Sequence, residues 1–277
     1  MLQSPLFAPL HPIISALDAD KYPTLQDCNV LLEAHQSPIT VASGAQLRFV
    51  PQESGKLPFE RRYEPRCYLH GEVPTRSDNW HDLLNALVWL TFPKAKATIN
   101  ARHYHALVKQ GATEEVESSS ERGAVRDVNT LLDESGVIVV YSDNELAGLL
   151  RDFKWRELFW QRREQVRPQS TQQAMGFYIF GHGLYEKALQ PYIGMTGQGL
   201  LLAVESAYFS WSLEQQLAHL DTMLAAYLSD PEHWRNTRDL SPVPLLGVPG
   251  WAADNEHAAY YDNTDYFRPG RREVKAL

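Results

Sequence analysis

The stretch Thr75-Arg-Ser-Asp-Asn-Trp-His-Asp-Leu-Leu-Asn-Ala-Leu-Val-Trp89 decides how the rest of the chain is read. Trp80, Leu83, Leu84, Leu87 and Val88 recur at i, i+3, i+4, i+7 and i+8, the spacing that gathers apolar side chains on one face of a helix. Ser77 or Asp78 is expected to supply the N-cap oxygen, and Pro93 to end the run four residues after Trp89. The turns that bury this apolar face also carry an imidazole on His81, a carboxylate on Asp82 and carboxamides on Asn79 and Asn85. His81 and Asn85 are four apart and share one stripe, with Asp82 beside them.

Working outward, residues 1–60 are rich in proline and polar turns and read as an irregular N-terminal segment packed on the body, with a short helix and a strand at Gln46–Val50. Tyr68–Leu69 reads as extended, and a second helix is expected from Lys94 to Lys109. The acidic, serine-rich run Gly111–Glu121 reads as an exposed loop. Val128–Tyr141 reads as a β-hairpin, with apolar runs on either side of Asp133-Glu-Ser-Gly136. Ser142 or Asp143 caps a helix through Leu146, Leu149, Leu150 and Phe153. Met175–Phe180 is a strand that Gly181-His-Gly183 turns into a helix, Leu200–Val204 another strand, and Leu213–Leu228 an amphipathic helix. Strands and helices mix without a strict βαβ rhythm. The expectation is therefore α+β: a single mixed domain over 60–277, its small antiparallel or mixed sheet flanked by helices, with irregular terminal segments.

Composition limits the function. The chain has 277 residues and a net charge of −8, from 26 Lys plus Arg against 34 Asp plus Glu. That makes nucleic acid an unlikely general partner, since such binding needs a positive field. No apolar run approaches the roughly 18 residues that span a bilayer, and Met1–Leu10 lacks the positive start of a secretory signal. Two cysteines, Cys28 and Cys67, are too few for a disulfide framework or a thiolate metal site. A cytoplasmic setting without membrane contact is the expectation.

Three constellations could carry chemistry. The first is His81, Asp82 and Asn85, whose nitrogen and oxygen donors suit zinc, iron or manganese. The second is Gly181-His182-Gly183 with Glu186, an imidazole at the end of a strand and a carboxylate one turn on. His182 and Glu186 could join His81 and Asp82 around a divalent metal ion, or His182 could serve as a base oriented by Glu186. The third is Asp133 and Glu134 at the expected hairpin tip, with Arg126 nearby as a clamp for an anionic group. Each also has a plainer structural reading: a helix cap, a turn glycine, or turn-forming carboxylates. Gly194–Gly199 lacks the Gly-Lys-Ser/Thr ending of a phosphate loop, and no Gly-x-Ser-x-Gly elbow exists.

Several segments resemble one bacterial family of unknown function, DUF3025. They are Val73-Pro-Thr-Arg76 with Asn79-Trp-His-Asp82 and the helix to Pro93, Leu131-Leu-Asp-Glu-Ser-Gly-Val-Ile-Val139, Phe180-Gly-His-Gly-Leu-Tyr-Glu-Lys187, Pro244-Leu-Leu-Gly-Val-Pro-Gly-Trp251, and Asn255-Glu256 with Phe267-Arg-Pro-Gly-Arg-Arg272. They run in one order from about residue 60 to 272. The resemblance implies a single co-occurring unit and carries no mechanism; His70-Gly71 and Gly183 depart from its pattern.

Taken together, the residues suggest a metal-dependent hydrolase of a small anionic substrate, with His182, Glu186, Asp133 and Glu134 as catalytic acid–base groups. His81, Asp82, His182 and Glu186 would be the ligands, and Arg126 and Asn85 the substrate contacts. The alternative is a non-enzymatic protein that binds a ligand or a protein partner. Its contact surface would be the aromatic C-terminal segment with Arg268–Arg272, and the polar groups around His81 would form a structural network.

Overall fold

The computed structural model describes residues 2–18, 21–35, 37–112, 120–230 and 237–270; the side chains at 110–112, 120–126 and 238 are outside that description. The chain enters through a 3-10 turn at Pro5–Leu10, α1 (His11–Ile14), α2 (Leu25–Glu33) and β1 (Arg48–Pro51). Then come α3 (Tyr63–His70), β2 (Glu72–Thr75), α4 (Trp80–Thr91), α5 (Pro93–Ala112), α6 (Ser120–Ser135) and β3 (Gly136–Tyr141). The second half comprises α7 (Asn144–Arg151), a π-turn at Glu157–Gln161, α8 (Arg163–Val166), β4 (Met175–Ile179), α9 (His182–Ala188), β5 (Thr196–Ala203), α10 (Leu213–Ser229) and β6 (Ser241–Pro244). The fold is mixed α+β, as the sequence suggests.

The larger sheet has the order β4-β3-β5-β6, with β3 antiparallel to β4 and parallel to β5, and β5 antiparallel to β6. Val137 to Val140 on β3 are fully buried, the continuous apolar run expected of a strand covered on both faces. β1 and β2 form a separate parallel pair. Leu6, Phe7 and Leu10 of the N-terminal segment lie in the same buried cluster as Leu84 and Leu87 of α4, and Phe7 stacks on Tyr185 of α9 with ring centroids 5.4 Å apart.

The expected hairpin at Val128–Tyr141 is replaced by a helix that runs straight into a strand. Val128, Asn129 and Leu132 are buried while Thr130 is exposed, the i, i+1, i+4 pattern of a helix; a period of two would have buried Thr130 with Val128 and Leu132. Gly136 is no turn glycine: a β-carbon on it would lie 2.3 Å from the Leu132 carbonyl oxygen. The antiparallel partner of β3 is β4, from the distant Met175–Ile179.

Smaller corrections follow the same logic. Tyr68 and Leu69 are helical, in α3, which Gly71 ends with φ +68 and a bond from its N–H to the Cys67 carbonyl at 2.8 Å. The α4 cap is Asn79, whose Oδ1 accepts the Asp82 N–H at 3.0 Å, while Asp78 takes a left-handed turn at φ 53. α4 continues to Thr91, and Pro93 opens α5, where a missing N–H costs nothing. The next two N–H groups, of Lys94 and Ala95, donate to the buried Asp221 carboxylate of α10 at 3.1 and 2.9 Å. Asp143 caps α7 as expected. The aromatic C-terminal segment is core: Tyr261, Tyr266 and Phe267 are buried, and the Tyr266 hydroxyl donates to the Met195 carbonyl at 2.8 Å. A contact surface made of these rings is thereby excluded, while Arg271, Arg272 and Trp234 lie outside the described residues. The expected loop over Gly111–Glu121 lies largely outside them too. Among the described residues, no helix is long and apolar enough to cross a membrane.

Phe180 and Gly181 both donate their N–H groups to the Gly136 carbonyl, each at 3.0 Å. This pins the end of β4 and the start of α9 against the α6–β3 junction. A β-carbon on Gly181 would fall 2.5 Å from Ser135 N and 2.6 Å from the Glu134 carbonyl. Gly181→Ala should therefore destabilise by about 1–3 kcal/mol through overpacking. Gly148→Ala, on a helix with nothing within 4 Å of the added carbon, should stabilise by about 0.4–1 kcal/mol. Urea titration of both variants checks the pair, and equal midpoints would show that the junction is not tight.

Candidate metal centre

Three elements converge at that junction: the first turn of α4 with His81, the last turn of α6 with Asp133 and Glu134, and the first turn of α9 with His182 and Glu186. The rings of His81 and His182 meet edge to face, with centroids 4.5 Å apart, and their Nε2 atoms are 3.0 Å apart. Glu134 Oε1 lies 3.5 Å from His182 Nε2 and 3.9 Å from His81 Nε2. One ligand atom from each of these three residues lies within 4.8 Å of the others. Gly183 leaves room for Glu134 Oε2, which a β-carbon there would meet at 2.3 Å. The carboxylate tip would have to move aside for a larger residue, and the Glu134 backbone carbonyl, 3.1 Å from such a β-carbon, would have to give by a few tenths of an ångström.

A carboxylate backs the first ring, with His81 Nδ1 2.9 Å from Glu186 Oε2. His182 Nδ1 is 3.7 Å from Asp133 Oδ2, too far for a hydrogen bond, and is buried with no hydrogen-bond partner among the described residues. Asp133 Oδ1 in turn accepts from Lys96 Nζ at 2.5 Å, and Lys96 donates also to Asn85 Oδ1 at 2.9 Å. Asn85 Nδ2 closes the chain on the Tyr63 hydroxyl at 2.8 Å. Lys96 is only 3% exposed, so its charge stands because Asp133 is beside it. Burial works to raise the Asp133 carboxyl, but Lys96 and His182 outweigh it and hold the group below the ordinary carboxylate range. The hydrogen bond with His182 lowers Glu134 by more than partial burial raises it.

The expected groups thus separate. His81, His182, Glu134, Asp133 and Glu186 come together. Asp82 turns away: Arg76 grips both its oxygens at 2.9 and 2.8 Å, and the Arg76 N–H adds a third bond at 2.7 Å. Burial raises the Asp82 carboxyl, but these bonds prevail and keep it low. Asn85 is largely buried in the chain from Tyr63 to Asp133 but lines the wall of the cavity over His81 and His182, and the Arg126 side chain is outside the described residues. Lys96 and Arg76 were not singled out from sequence. Lys96 had a readable signal, since it shares a helical stripe with the apolar Ile99 and with Asn100 and His103.

A cavity of about 450 Å³ opens over His81, Glu134 and His182 and extends past Tyr63, Glu64, Arg76, Asp82, His103 and Asp133. Such a volume suits a small molecule. The fold and this two-histidine, one-carboxylate cluster describe an α+β protein with a candidate metal pocket. The chain belongs to the family described as "Protein of unknown function (DUF3025)", whose model matches residues 47–271. No curated protein and no solved structure is significantly similar to it.

Asp133→Asn should leave the Lys96 ammonium buried without its counter-charge and lose about 3–5 kcal/mol at neutral pH. Adding Lys96→Met should restore part of the loss. Because the folded carboxyl is lowered, its contribution is present above the unfolded value and disappears as pH falls through the folded one. Wild-type stability should therefore decline on acidification through the carboxylate range, and less steeply in the double variant. Denaturant titrations across pH measure both.

Proposed function

We propose that His81, His182 and Glu134 hold one divalent metal ion and that the protein is a metal-dependent hydrolase of a small molecule. The observation that carries this reading is the convergence of two imidazole Nε2 atoms and a carboxylate oxygen at 3.0, 3.5 and 3.9 Å. Tetrahedral ligands of zinc stand roughly 3.3 Å apart, given bond lengths near 2.0–2.2 Å. When His81 Nδ1–H donates to Glu186, its Nε2 carries a lone pair toward the cluster. A carboxylate behind a histidine is the usual way a metal ligand is oriented. Asp133 lies on the same side of His182 but 3.7 Å from Nδ1, an ion-pair distance and not a hydrogen bond.

Electrostatics support the same site. Asp133 and Glu134 sit in the last turn of the 16-residue α6, which has no basic residue there. Carboxylates at the negative end of a helix dipole need positive charge nearby. Lys96 meets that need for Asp133, and a cation would meet it for Glu134. Three protein ligands leave a coordination position open, where the ion would polarise a carbonyl group and acidify a water molecule. Glu134 Oε2, over Gly183, is the oxygen left to take up a proton.

A second reading has its own observation. The buried chain Tyr63–Asn85–Lys96–Asp133 could serve only to fix α3, α4, α5 and α6 together in a protein that binds a ligand or partner without chemistry. Metal analysis separates the two. Protein purified without chelator should carry about one ion per chain, lost in His81→Ala, His182→Ala and Glu134→Gln while circular dichroism stays native. Glu186→Gln should weaken metal affinity by about 10–100-fold without abolishing it. Absence of metal, with variants that are merely less stable, would favour the second reading. Iron accompanied by oxygen consumption would replace hydrolysis with oxidation, since this ligand set also suits iron(II).

A further inference from the structure

We infer that the Tyr63 hydroxyl is a substrate-contacting hydrogen-bond donor, so that the ligand of this cavity presents an oxygen acceptor, as in a carbonyl group, about one helical turn from the proposed metal. The inference rests on the metal reading only for what happens at the other end of the ligand. What carries it is the direction in which the buried chain Lys96–Asn85–Tyr63 must donate, together with the place where that chain comes out.

An ammonium group donates hydrogen bonds and accepts none. The carboxamide atom 2.9 Å from Lys96 Nζ is therefore the Asn85 oxygen, Oδ1. That fixes the amide one way round, with Nδ2 turned to Tyr63, 2.8 Å from its hydroxyl oxygen. An amide nitrogen donates, so the phenol oxygen accepts this bond and its own proton is left over. Among the described residues, the bond from Asn85 is the one hydrogen bond of the Tyr63 hydroxyl. Tyr63 is 37% exposed and lines the same cavity as His81, Glu134 and His182, so the unspent proton has that hollow to point into.

Burial of the hydroxyl, with Cys67 and the carboxylates of Glu64 and Asp133 nearby, outweighs the Asn85 bond and raises the phenol well above its ordinary value. The proton therefore stays on at neutral pH. Charge at the head of the chain polarises the amide, and an amide donating into the phenol oxygen makes the O–H a better donor. An unmatched donor in a sheltered hollow is satisfied at a gain by a ligand oxygen. His81 and Asn85 are four residues apart on α4, about one turn. A ligand whose reacting carbonyl sits at the His81–Glu134–His182 end thus meets Tyr63 with an acceptor a few atoms further along, within one cavity of about 450 Å³.

The test begins without metal. The full chain, stripped with chelator and isotope-labelled at the tyrosine ring carbon that bears the hydroxyl, is titrated by NMR with dimethylacetamide, which accepts hydrogen bonds and donates none. The Tyr63 resonance, assigned by its loss in Tyr63→Phe, should shift saturably. In Asn85→Asp both side-chain oxygens are acceptors: one receives Lys96 and the other takes the Tyr63 proton. The resonance should then stop responding although the tyrosine is intact. Absence of a saturable shift in wild type, the result expected of a purely structural chain, overturns the inference, and so does a shift that persists in Asn85→Asp. A second arm uses zinc-loaded protein and two zinc-chelating hydroxamates, levulinohydroxamate, which carries a ketone, and pentanohydroxamate, which has a methylene in its place. The ketone should bind about 3–10-fold more tightly, the effect of one neutral hydrogen bond, and the two should bind alike in Tyr63→Phe and Asn85→Asp. Equal affinities in zinc-loaded wild type also overturn the inference. The expected Tyr63 shift in a protein that takes up no zinc upholds the donor site and sinks the metal reading alone.

Discussion

One backbone carbonyl, that of Gly136, receives the N–H groups of both Phe180 and Gly181, and the placement of every polar group in the site follows from it. Gly136 is where α6 becomes β3, and Gly181 is where β4 gives way to α9. Joining those two points brings residues about 45 positions apart in sequence into one turn of space, with Glu134 and Ser135 on one side and His182 on the other. Close approach demands glycine at both points, because a β-carbon on either would strike backbone atoms within 2.6 Å. The buried face of α4 then sets His81 against His182.

The second constraint is charge. A helix end carrying two carboxylates is unfavourable unless positive charge or hydrogen-bonding groups surround it, and the chain sets the Lys96 ammonium on α5 against Asp133 and the imidazoles of His81 on α4 and His182 on α9 beside Glu134. These pairings are graded by depth. Lys96 is nearly fully buried and pairs with the partly buried Asp133, whereas the side chains of Glu134 and Glu186 are 42% and 47% exposed. The inner pair is held in place by burial and by the second bond from Lys96 to Asn85. The outer carboxylates keep access to solvent and to ligands, as reactive groups must.

Much of this was legible from the residues. The α4 stripe, the strand Met175–Phe180 and its turn at Gly181 and the α10 leucines follow from spacing and turn chemistry, whereas the meeting of His81 with His182 and Glu186, more than a hundred residues apart, could be entertained but not deduced. The hairpin reading failed at Val128–Ser135 because Leu131-Leu132 and the apolar run after Gly136 look alike as short apolar stretches, and only the burial of Val128, Asn129 and Leu132 with Thr130 exposed reveals the helix. That error concealed why Glu134 belongs to the cluster: on a helix end it is delivered against His182, while on a hairpin it would have pointed to solvent. Asp82 was misjudged for a different reason. Arg76 lies six residues away across a turn, and no periodicity discloses a contact of that kind.

The depth gradient also separates the buried network from the more exposed cluster. A chain of buried hydrogen bonds such as Tyr63–Asn85–Lys96–Asp133 rigidifies the elements it joins, and here it stops 3.7 Å short of His182 Nδ1, beyond hydrogen-bond reach. That nitrogen is buried without a hydrogen-bond partner among the described residues, so the network fastens α3, α4, α5 and α6 to one another and does not itself orient the imidazole. His182 is placed instead by the turn at Gly181 and by its neighbours His81 and Glu134, 3.0 and 3.5 Å from its Nε2.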